Sequence, residues 1–305
     1  MAFLQLTLAL TALLLCSGDL GRRPSPATLR LQARRDLGRL LFFDPALSEN
    51  YKRSCASCHR PEKAFTDQRI QARAFAFSNN LPLNTPTVLN TGGQTAFFHD
   101  GRAGSLAAVI ASVIASPREF NSSYALIIHR LSGSPDYQAR FRQAYGSGVT
   151  RTSLNDALTV YIRSLTRRSA RFDQFMRHEA TLPQAAGRGY ALFSQQLLCA
   201  ACHRPPWFSD GRRHRVAPDR LVRTPGLRNV VLTPPYLTDG SAPTIDAVLQ
   251  TPLHRQYAGR LLTDTERADL YQFLTTLTDT VGTTQPPTTL PTHHQAPPRR
   301  IGGQY

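Results

Sequence analysis

Two short strings of cysteine and histidine recur in this chain, Cys55-Ala56-Ser57-Cys58-His59 and Cys199-Ala200-Ala201-Cys202-His203. The Cys-x-x-Cys-His pattern is typical of covalent haem c attachment, in which both thiols add to haem vinyl groups and the adjacent histidine ligates the iron. A zinc site would not require a histidine directly after each second cysteine. A Phe-x-Asp turn follows each string, Phe65-Thr66-Asp67 and Phe208-Ser209-Asp210. The sequence therefore predicts two covalently bound haem c groups.

The remaining cysteine, Cys16, lies near the end of an apolar run, Leu8 to Leu15. This run has the length of a signal-peptide core and is too short for a transmembrane span. We therefore expect a signal peptide over residues 1–18, export to the periplasm and no transmembrane span. Acylation of Cys16 as a lipoprotein is the minority alternative, because Leu15 is bulky where a small residue is usual.

The charge of the chain is strongly positive, with 36 Lys and Arg against 20 Asp and Glu. Only Lys52 and Lys63 are lysines, so the positive charge is carried almost entirely by arginine. No nucleic-acid-binding motif accompanies it, and we expect no nucleic-acid partner. The charge favours an acidic redox partner or an anionic surface. A compositional arginine bias on a solvated surface explains it equally well.

The two halves of the chain repeat more than their haem motifs. The segment 84–90 corresponds to 223–229, and 97–101 corresponds to 235–240 around its Asp-Gly. From Pro86 to Asp100 is 14 residues, as it is from Pro225 to Asp239. The repeat predicts two tandem haem domains, over 27–177 and 183–281, joined by a linker at 178–183. The Pro/Thr-rich segment 282–305 has no apolar periodicity, and we expect a disordered tail there.

Helical periodicity dominates both halves, and strand signals are few. The predicted helices are Leu29–Phe43, Ser105–Ala115, Ser122–Leu131, Leu154–Met176, Ala185–Leu198 and Thr263–Leu277. We therefore expect a mainly α fold of two cytochrome c-like haem domains related by internal duplication.

These motifs resemble those of the bacterial di-haem cytochrome c peroxidases and their relative MauG, with the MauG and MbnH branch favoured. The matching segments run in order over roughly residues 30 to 280: Leu37–Pro45, Cys55–His59 with Ala64–Asp67, Asn84–Thr87, Asp100–Ala103, Thr224–Val230, Pro235–Tyr236 and Leu262–Leu270. The resemblance implies an enzyme that reduces hydrogen peroxide at the haem on His59. The haem on His203 would then store or relay electrons.

The resemblance also implies residues that act at the first haem. Glu119, in Pro117-Arg118-Glu119, matches the acid–base carboxylate, and Arg102 lies in the matching Asp-Gly-Arg segment. The alternative for Glu119 is a surface carboxylate paired with an arginine. His99 stands where the family has a tryptophan between the haems, and Val109 stands where it has a distal glutamine.

One further departure concerns the state of the first iron. Family members that require reductive activation keep a loop histidine that blocks the peroxide site, and no histidine occurs here between Ala64 and Gln94. We therefore expect the first haem to be open without prior reduction.

The distal ligand of the second haem departs from the family as well. Pro252 stands at the position where the peroxidases have methionine and MauG has tyrosine, and the chain has no methionine besides Met1 and Met176. His254 is the preferred ligand because imidazole is a good axial ligand. Tyr257, or no ligand at all, is the alternative.

A calcium ion between the domains is a further implication of the resemblance, with Asn84, Thr233 and Pro235 as the matching positions. The alternative is that Asn84 caps a turn. Three functions stay open: MauG-like oxidation of a partner protein, peroxide reduction fed by a small electron-donor protein, and non-catalytic electron transfer. The missing loop histidine and methionine favour the first. Family peroxidases often form dimers, so a homodimer is an option that the sequence leaves open.

Overall fold

The computed structural model describes residues 24–75, 79–217, 220–279, 285–292 and 297–304. The predicted signal peptide lies outside this part of the chain. The described residues are mainly helical, as predicted, and none of their helices is long and apolar enough to cross a membrane. The helices are α1 (Pro26–Phe43), α2 (Leu106–Ala115), α3 (Tyr124–Ser132), α4 (Pro135–Tyr145), α5 (Arg151–Ser164), α6 (Arg171–Met176), α7 (Gln184–Ala191), α8 (Cys199–Cys202), α9 (Ile245–Leu249), α10 (Pro252–Ala258) and α11 (Asp264–Thr275). The strands are β1 (Arg213–Ala217) and β2 (Arg220–Arg223).

The first core forms where α1 packs on α5 and on α4. Helix α1 begins at a serine cap, since Ser25 Oγ accepts a hydrogen bond from the amide of Thr28 at 3.2 Å. Its apolar stripe buries Leu37, Leu41 and Phe42 almost completely. This packing fixes the segment that leads into the first Cys-x-x-Cys-His motif.

The second core repeats this arrangement with α7 on α11. Arg188 on α7 holds the Asp269 carboxylate of α11 with two hydrogen bonds of 2.7 Å. Helix α6 also belongs to this core, because Phe172 packs against Phe208 and Phe273. Helix α6 thus packs in the second core, although the sequence-based boundary places it in the first domain, 27–177.

The helix predicted over Leu154–Met176 is broken into α5 and α6. Between them, Asn90 Oδ1 accepts a hydrogen bond from the amide of Arg167 at 2.9 Å, and Asp279 Oδ1 accepts one from that of Ser169 at 2.8 Å. These side chains satisfy backbone amides that a continuous helix would have paired internally, so the chain can pass from one core to the other.

The duplication predicted from the sequence is confirmed in the backbone. Asn90 and Asn229 have φ of 60° and 62°, and Phe98 and Leu237 have φ of 64° and 68°. Each pair is separated by 139 residues, as is the pair Gly101 and Gly240, with φ of 68° and 69°. The left-handed conformation is rare for residues other than glycine, so its recurrence at matched positions marks two copies of one design.

We expected residues 282–305 to form a disordered tail. Residues 285–292 and 297–304 instead pack on the first domain. Thr292 bonds to Asp136, and the Gly302 carbonyl accepts a hydrogen bond from Ser57 at 2.9 Å, inside the first haem motif. Arg299 lies 3.1 Å from the buried carboxylate of Asp44. Ile301 also packs against the first core. The polar and ionic contacts join residues far apart in the sequence, so apolar periodicity could not reveal them.

Two glycines on α7 test the helix crossing. A Cβ at Gly189 would overlap the carbonyl oxygen of Asp269, whereas a Cβ at Gly187 would meet nothing within 4 Å. We expect Gly189→Ala to destabilise the protein by about 1–3 kcal/mol, the usual cost of overpacking. Gly187→Ala should be neutral or stabilise it by about 0.5–1 kcal/mol, since alanine favours helix. Thermal unfolding of both variants measures the difference, and equal melting temperatures would contradict the close crossing.

Candidate functional site

The first haem motif is a tight turn that leaves one histidine nitrogen free. Cys55–Ser57 form a 3₁₀ turn, and the His59 amide donates to the Cys55 carbonyl at 2.9 Å. His59 Nδ1 donates to the carbonyl of Phe65 at 3.2 Å. Burial lowers the pKa of His59, so the ring is neutral and its Nε2 lone pair is available to iron.

The second motif repeats this geometry within and beyond α8. The His203 amide donates to the Cys199 carbonyl at 2.9 Å, and His203 Nδ1 donates to the carbonyl of Phe208 at 3.1 Å. Burial again lowers the pKa of the imidazole. Both histidines predicted as iron ligands are therefore oriented in the same way.

The cysteines of both motifs suit thioether bonds to haem. Cys55, Cys58, Cys199 and Cys202 form no disulfide. Burial raises the pKa of Cys55 to about 12 and those of Cys58 and Cys199 to about 11, so these environments disfavour thiolates. A neutral thioether carries no such cost. The donor set of each motif thus fits haem c.

Glu119 lies close to the first motif. It follows α2 and Ser116, whose carbonyl accepts a hydrogen bond from the Glu119 amide at 3.1 Å. Burial raises the pKa of Glu119, opposed in part by a hydrogen bond from Ser116 and by the charge of Arg102. The Glu119 carboxyl is close enough to Cys55 and Cys58 to contribute to their raised pKa values.

Arg102, the other predicted residue at this site, is exposed. Its guanidinium pairs with Asp100 at 3.0 Å and lies 3.7 Å from the centre of the Phe98 ring. Its charge acts on both Glu119 and His99. Arg102 is therefore placed to influence both groups electrostatically.

The residue before Glu119, Arg118, is hydrogen-bonded to the segment that contains Phe75 and Asn80. Arg118 Nη2 donates to the Asn80 carbonyl at 2.8 Å, and the Phe75 amide donates to the Arg118 carbonyl at 2.7 Å. The buried Arg53 donates to the carbonyls of Arg73 and Ala74 from the other side. These bonds fix the approach to the first haem motif. Sequence reasoning missed Arg53, which no motif distinguishes from the other arginines.

His99 lies at the boundary between the domains. Its Nε2 donates to the Asn84 carbonyl at 3.0 Å, and its own carbonyl accepts a hydrogen bond from the Arg223 amide at 2.8 Å. Burial lowers the pKa of His99, although the bond to Asn84 opposes the shift. Asn84 Nδ2 in turn donates to the Pro235 carbonyl at 2.9 Å. Two of the three predicted calcium positions, Asn84 and Pro235, are thus in contact.

His254 on α10 lies in the second site with a defined tautomer. Its Nδ1 is 2.8 Å from Thr251 Oγ1, and that hydroxyl donates its proton to the Val248 carbonyl at 2.8 Å. The hydroxyl must therefore accept from His254 Nδ1–H, which leaves the Nε2 lone pair free. Burial, with the charge of the nearby His203 second, lowers the pKa of His254 to about 4. Tyr257 is 42% exposed on the same helix.

The structure adds an acid–base pair that the sequence did not reveal. His214 Nε2 is 2.8 Å from Asp210 Oδ2, and their ligand atoms lie with Cys202 Sγ within 4.8 Å of one another. Because Cys202 belongs to the haem motif, this group marks the edge of the second haem site. The Phe-x-Asp repeat pointed to Asp210, but nothing in the sequence placed His214 beside it.

Two haem c sites in one mainly helical chain define a di-haem c-type cytochrome. The model of the di-haem cytochrome c peroxidase family matches residues 32–181. Over 272 residues the chain is 35% identical to the methylamine utilization protein MauG of Methylorubrum extorquens, covering 79% of this chain and 77% of that protein. It is 30% identical over 267 residues to the cytochrome c551 peroxidase of Nitrosomonas europaea, covering 80% and 79%.

Solved structures agree with this assignment. A MauG-like protein associated with microbial copper homeostasis superposes with a TM-score of 0.72 at 25% identity, covering 83% of this chain and 92% of that one. The di-haem peroxidase BthA of Burkholderia thailandensis has the same fold, with a TM-score of 0.70 over 85% of this chain and 90% of that one. The chain belongs to the family of di-haem cytochrome c peroxidases and MauG. It is a di-haem, peroxide-dependent oxidoreductase.

Proposed function

We propose that hydrogen peroxide reacts at the haem on Cys55, Cys58 and His59, and that the haem on His203 stores or relays electrons. The observation that carries this assignment is the partly buried Glu119 carboxyl, whose charge acts on Cys55 and Cys58. The absence of any histidine between Ala64 and Gln94 supports an open first site. When bound, the haem supplies an iron at which the O–O bond of peroxide is reduced.

Glu119 is the acid–base group of this reaction. Its carboxylate accepts a proton from one peroxide oxygen and returns it to the departing one. Two electrons and two protons convert one hydrogen peroxide to two waters. A raised pKa brings a carboxyl closer to neutral pH, where proton transfer in both directions is efficient.

Glu119→Gln tests this role. We expect the variant to react with peroxide about 10²–10⁴-fold more slowly, the usual contribution of a positioned acid–base group. The wild-type rate should fall as the pH drops through the raised pKa of Glu119, because the proton acceptor is then lost. The rate of the variant should lack this step. Stopped-flow absorbance of the ferric protein mixed with peroxide measures both.

The matched control is Glu62→Gln, which removes an exposed carboxylate three residues after His59. Glu62 pairs with Arg60 at 2.6 Å on the surface, so its removal should leave the rate and the pH profile unchanged. A Glu119→Gln protein with the wild-type rate would reject the proposed role.

His254 is the proposed distal ligand of the second haem. The free Nε2 and the proximity to His203 support it, and the exposure of Tyr257 disfavours the tyrosine. Bis-histidine ligation gives a lower potential than histidine–methionine ligation, because thioether ligation favours reduced iron. A second haem of low potential readily gives up its electron to the peroxide site.

Variants at this helix test the ligand. In His254→Ala the electron paramagnetic resonance spectrum should lose its low-spin signal, and His254→Met should keep a low-spin haem with a raised potential. Thr251→Val removes the partner of Nδ1 and should shift the low-spin g-values without abolishing ligation. Tyr257→Phe is the control and should leave the spectrum unchanged. An unaltered low-spin signal in His254→Ala would exclude this ligand.

The oxidised protein is proposed to act on a partner protein in the manner that the resemblance to MauG implies, by oxidising tyrosine or tryptophan side chains. The lack of a loop histidine and of a methionine ligand supports this choice over a peroxidase fed by a small donor protein. Glu119 disfavours a plain electron carrier, which needs no acid–base group. Persistence of the oxidised state after peroxide addition, when no small donor is present, separates the two enzymatic functions.

Calcium binding and export complete the proposal. Rotation of the Asn84 amide by half a turn would bring its oxygen beside the Pro235 carbonyl, and hard oxygen donors of this kind, with Thr233 and waters, suit calcium. Residues 1–18 carry the proposed export signal, and covalent haem c with no cysteine pair left for a disulfide is consistent with a periplasmic protein.

A further inference from the structure

Residues 297–304, which we call the clasp, are paired with the chain that leads into the first haem motif. The Gln304 amide donates a hydrogen bond to the Lys52 carbonyl at 2.8 Å. Beside it, Gly303 forms an antiparallel β-bridge with Arg53. The clasp therefore holds the main chain immediately before the first haem motif by two consecutive residues.

Ser57 connects the clasp to the haem motif itself. This serine lies between Cys55 and Cys58 and is 4% exposed. Its hydroxyl donates to the Gly302 carbonyl at 2.9 Å and accepts a hydrogen bond from the Ser54 amide at 3.0 Å. One buried hydroxyl thus joins the clasp to the 3₁₀ turn that holds both haem-binding cysteines.

Two consecutive glycines allow this close approach. Gly302 and Gly303 are buried and left-handed, with φ of 80° and 77°, a conformation that other residues rarely adopt. A Cβ at Gly303 would be 2.7 Å from the Lys52 carbonyl oxygen and 3.0 Å from the Ser54 amide nitrogen, and it would overlap Ser57 Oγ. The contact between the clasp and the haem motif therefore has no room for a side chain.

The clasp is anchored to the first core on its other side. Arg299 lies 3.1 Å from Asp44, and the side chains of this ion pair are 6% and 0% exposed. The second oxygen of the Asp44 carboxylate accepts a hydrogen bond from the Tyr137 hydroxyl at 2.7 Å. Ile301 packs against the same core. Because breaking a buried ion pair is strongly destabilising, these contacts make the clasp a fixed part of the first domain.

The second haem motif differs at the residue that contacts the clasp. Where the first motif has Ser57, the second has Ala201, which has no hydroxyl and is exposed. The histidines of the two motifs are nevertheless oriented by equivalent hydrogen bonds. The hydroxyl contact is therefore a difference between two otherwise similar sites, and the second site provides an internal comparison.

Arg53 extends these contacts to the loop that carries Glu119. The Arg53 guanidinium donates to the Ala74 carbonyl. The amide of the next residue, Phe75, donates to the Arg118 carbonyl at 2.7 Å, and Glu119 follows directly. A continuous set of hydrogen bonds and peptide links thus runs from the clasp to the proposed acid–base residue.

We propose that the clasp is a positioning element of the first haem site, which fixes the turn that carries His59 and, through Arg53, the loop that carries Glu119. Its effect on the reaction with peroxide rests on the proposed function, whereas its effect on the haem itself does not. Groups that orient a metal ligand from outside typically change activity by about 10–100-fold when they are removed. Loss of the clasp contact should therefore alter the first haem and leave the second unchanged.

The experiment uses two variants of the full di-haem protein, each with a matched control. Ser57→Ala removes the hydroxyl and adds no atom, and its control, Ala201→Ser, adds a hydroxyl at the exposed counterpart in the second motif. Gly303→Ala places a Cβ in the contact. Its control is Gly146→Ala, since Gly146 is also left-handed, with φ of 74°, but has nothing within 4 Å of an added Cβ. The two glycine variants therefore share the backbone cost and differ only in the clash.

Electron paramagnetic resonance and a potentiometric titration of both haems give the main result. In Ser57→Ala and Gly303→Ala we expect the high-spin signal and the potential of the first haem to shift, while the low-spin g-values of the second haem stay as in wild type. The reaction with peroxide should be slower by at least about tenfold. Both control variants should match wild type in all three measurements.

Hydrogen exchange followed by mass spectrometry keeps the clasp separate from peroxide chemistry. Residues 52–59 should lose protection in Ser57→Ala and Gly303→Ala, whereas residues 198–203 should not, and this result does not depend on which haem reacts with peroxide. If wild type fails to react with peroxide, the proposed function fails, but the exchange and the haem spectra still test the clasp. Lost protection with unaltered haem signals would show a purely structural contact and would overturn the proposal. Equal changes at both haems would overturn it as well, and Ser57→Ala alone decides if Gly303→Ala does not fold.

Discussion

Each haem site depends on a hydrogen bond from a histidine Nδ1 to a main-chain carbonyl. Phe65 and Phe208 supply these carbonyls from left-handed turns, with φ of 58° and 55°. This conformation costs about 1–2 kcal/mol for a residue other than glycine. Both phenylalanine side chains are fully buried, so the core holds the turn against its strain. The two cores therefore determine where the two Nε2 atoms point.

The two domains share one backbone design because the chain is an internal duplication. They differ at a few positions beside the haem motifs. Both domains have a close helix crossing at a glycine, Gly38 or Gly189. Both also have a left-handed turn at an asparagine, Asn90 or Asn229. A partly buried carboxyl, Glu119, accompanies the first motif, whereas the second has an oriented imidazole, His254. In the proposed function the same fold therefore holds one acid–base site and one closed electron site, and the residues that differ lie in the loops and short helices beside each haem motif.

Local patterns in the sequence were enough to predict the haem motifs, the duplication and the helices of both crossings. Glu119 could be placed only through the resemblance, since nothing in Pro117-Arg118-Glu119 itself indicates burial. The hairpin of β1 and β2 escaped prediction because its strands are short and carry arginine rather than apolar alternation. The packing of residues 285–292 and 297–304 could not be predicted, because Thr292 and Arg299 bind residues more than a hundred positions away. Contacts of that range leave no local periodicity.

The central claim is that the first haem is open to peroxide in the resting protein while the second is closed. Electron paramagnetic resonance of the ferric protein, before and after one equivalent of hydrogen peroxide, tests it most directly. The account predicts one high-spin and one low-spin haem at rest, with the high-spin signal lost on addition of peroxide. Two low-spin haems that do not respond to peroxide would contradict it.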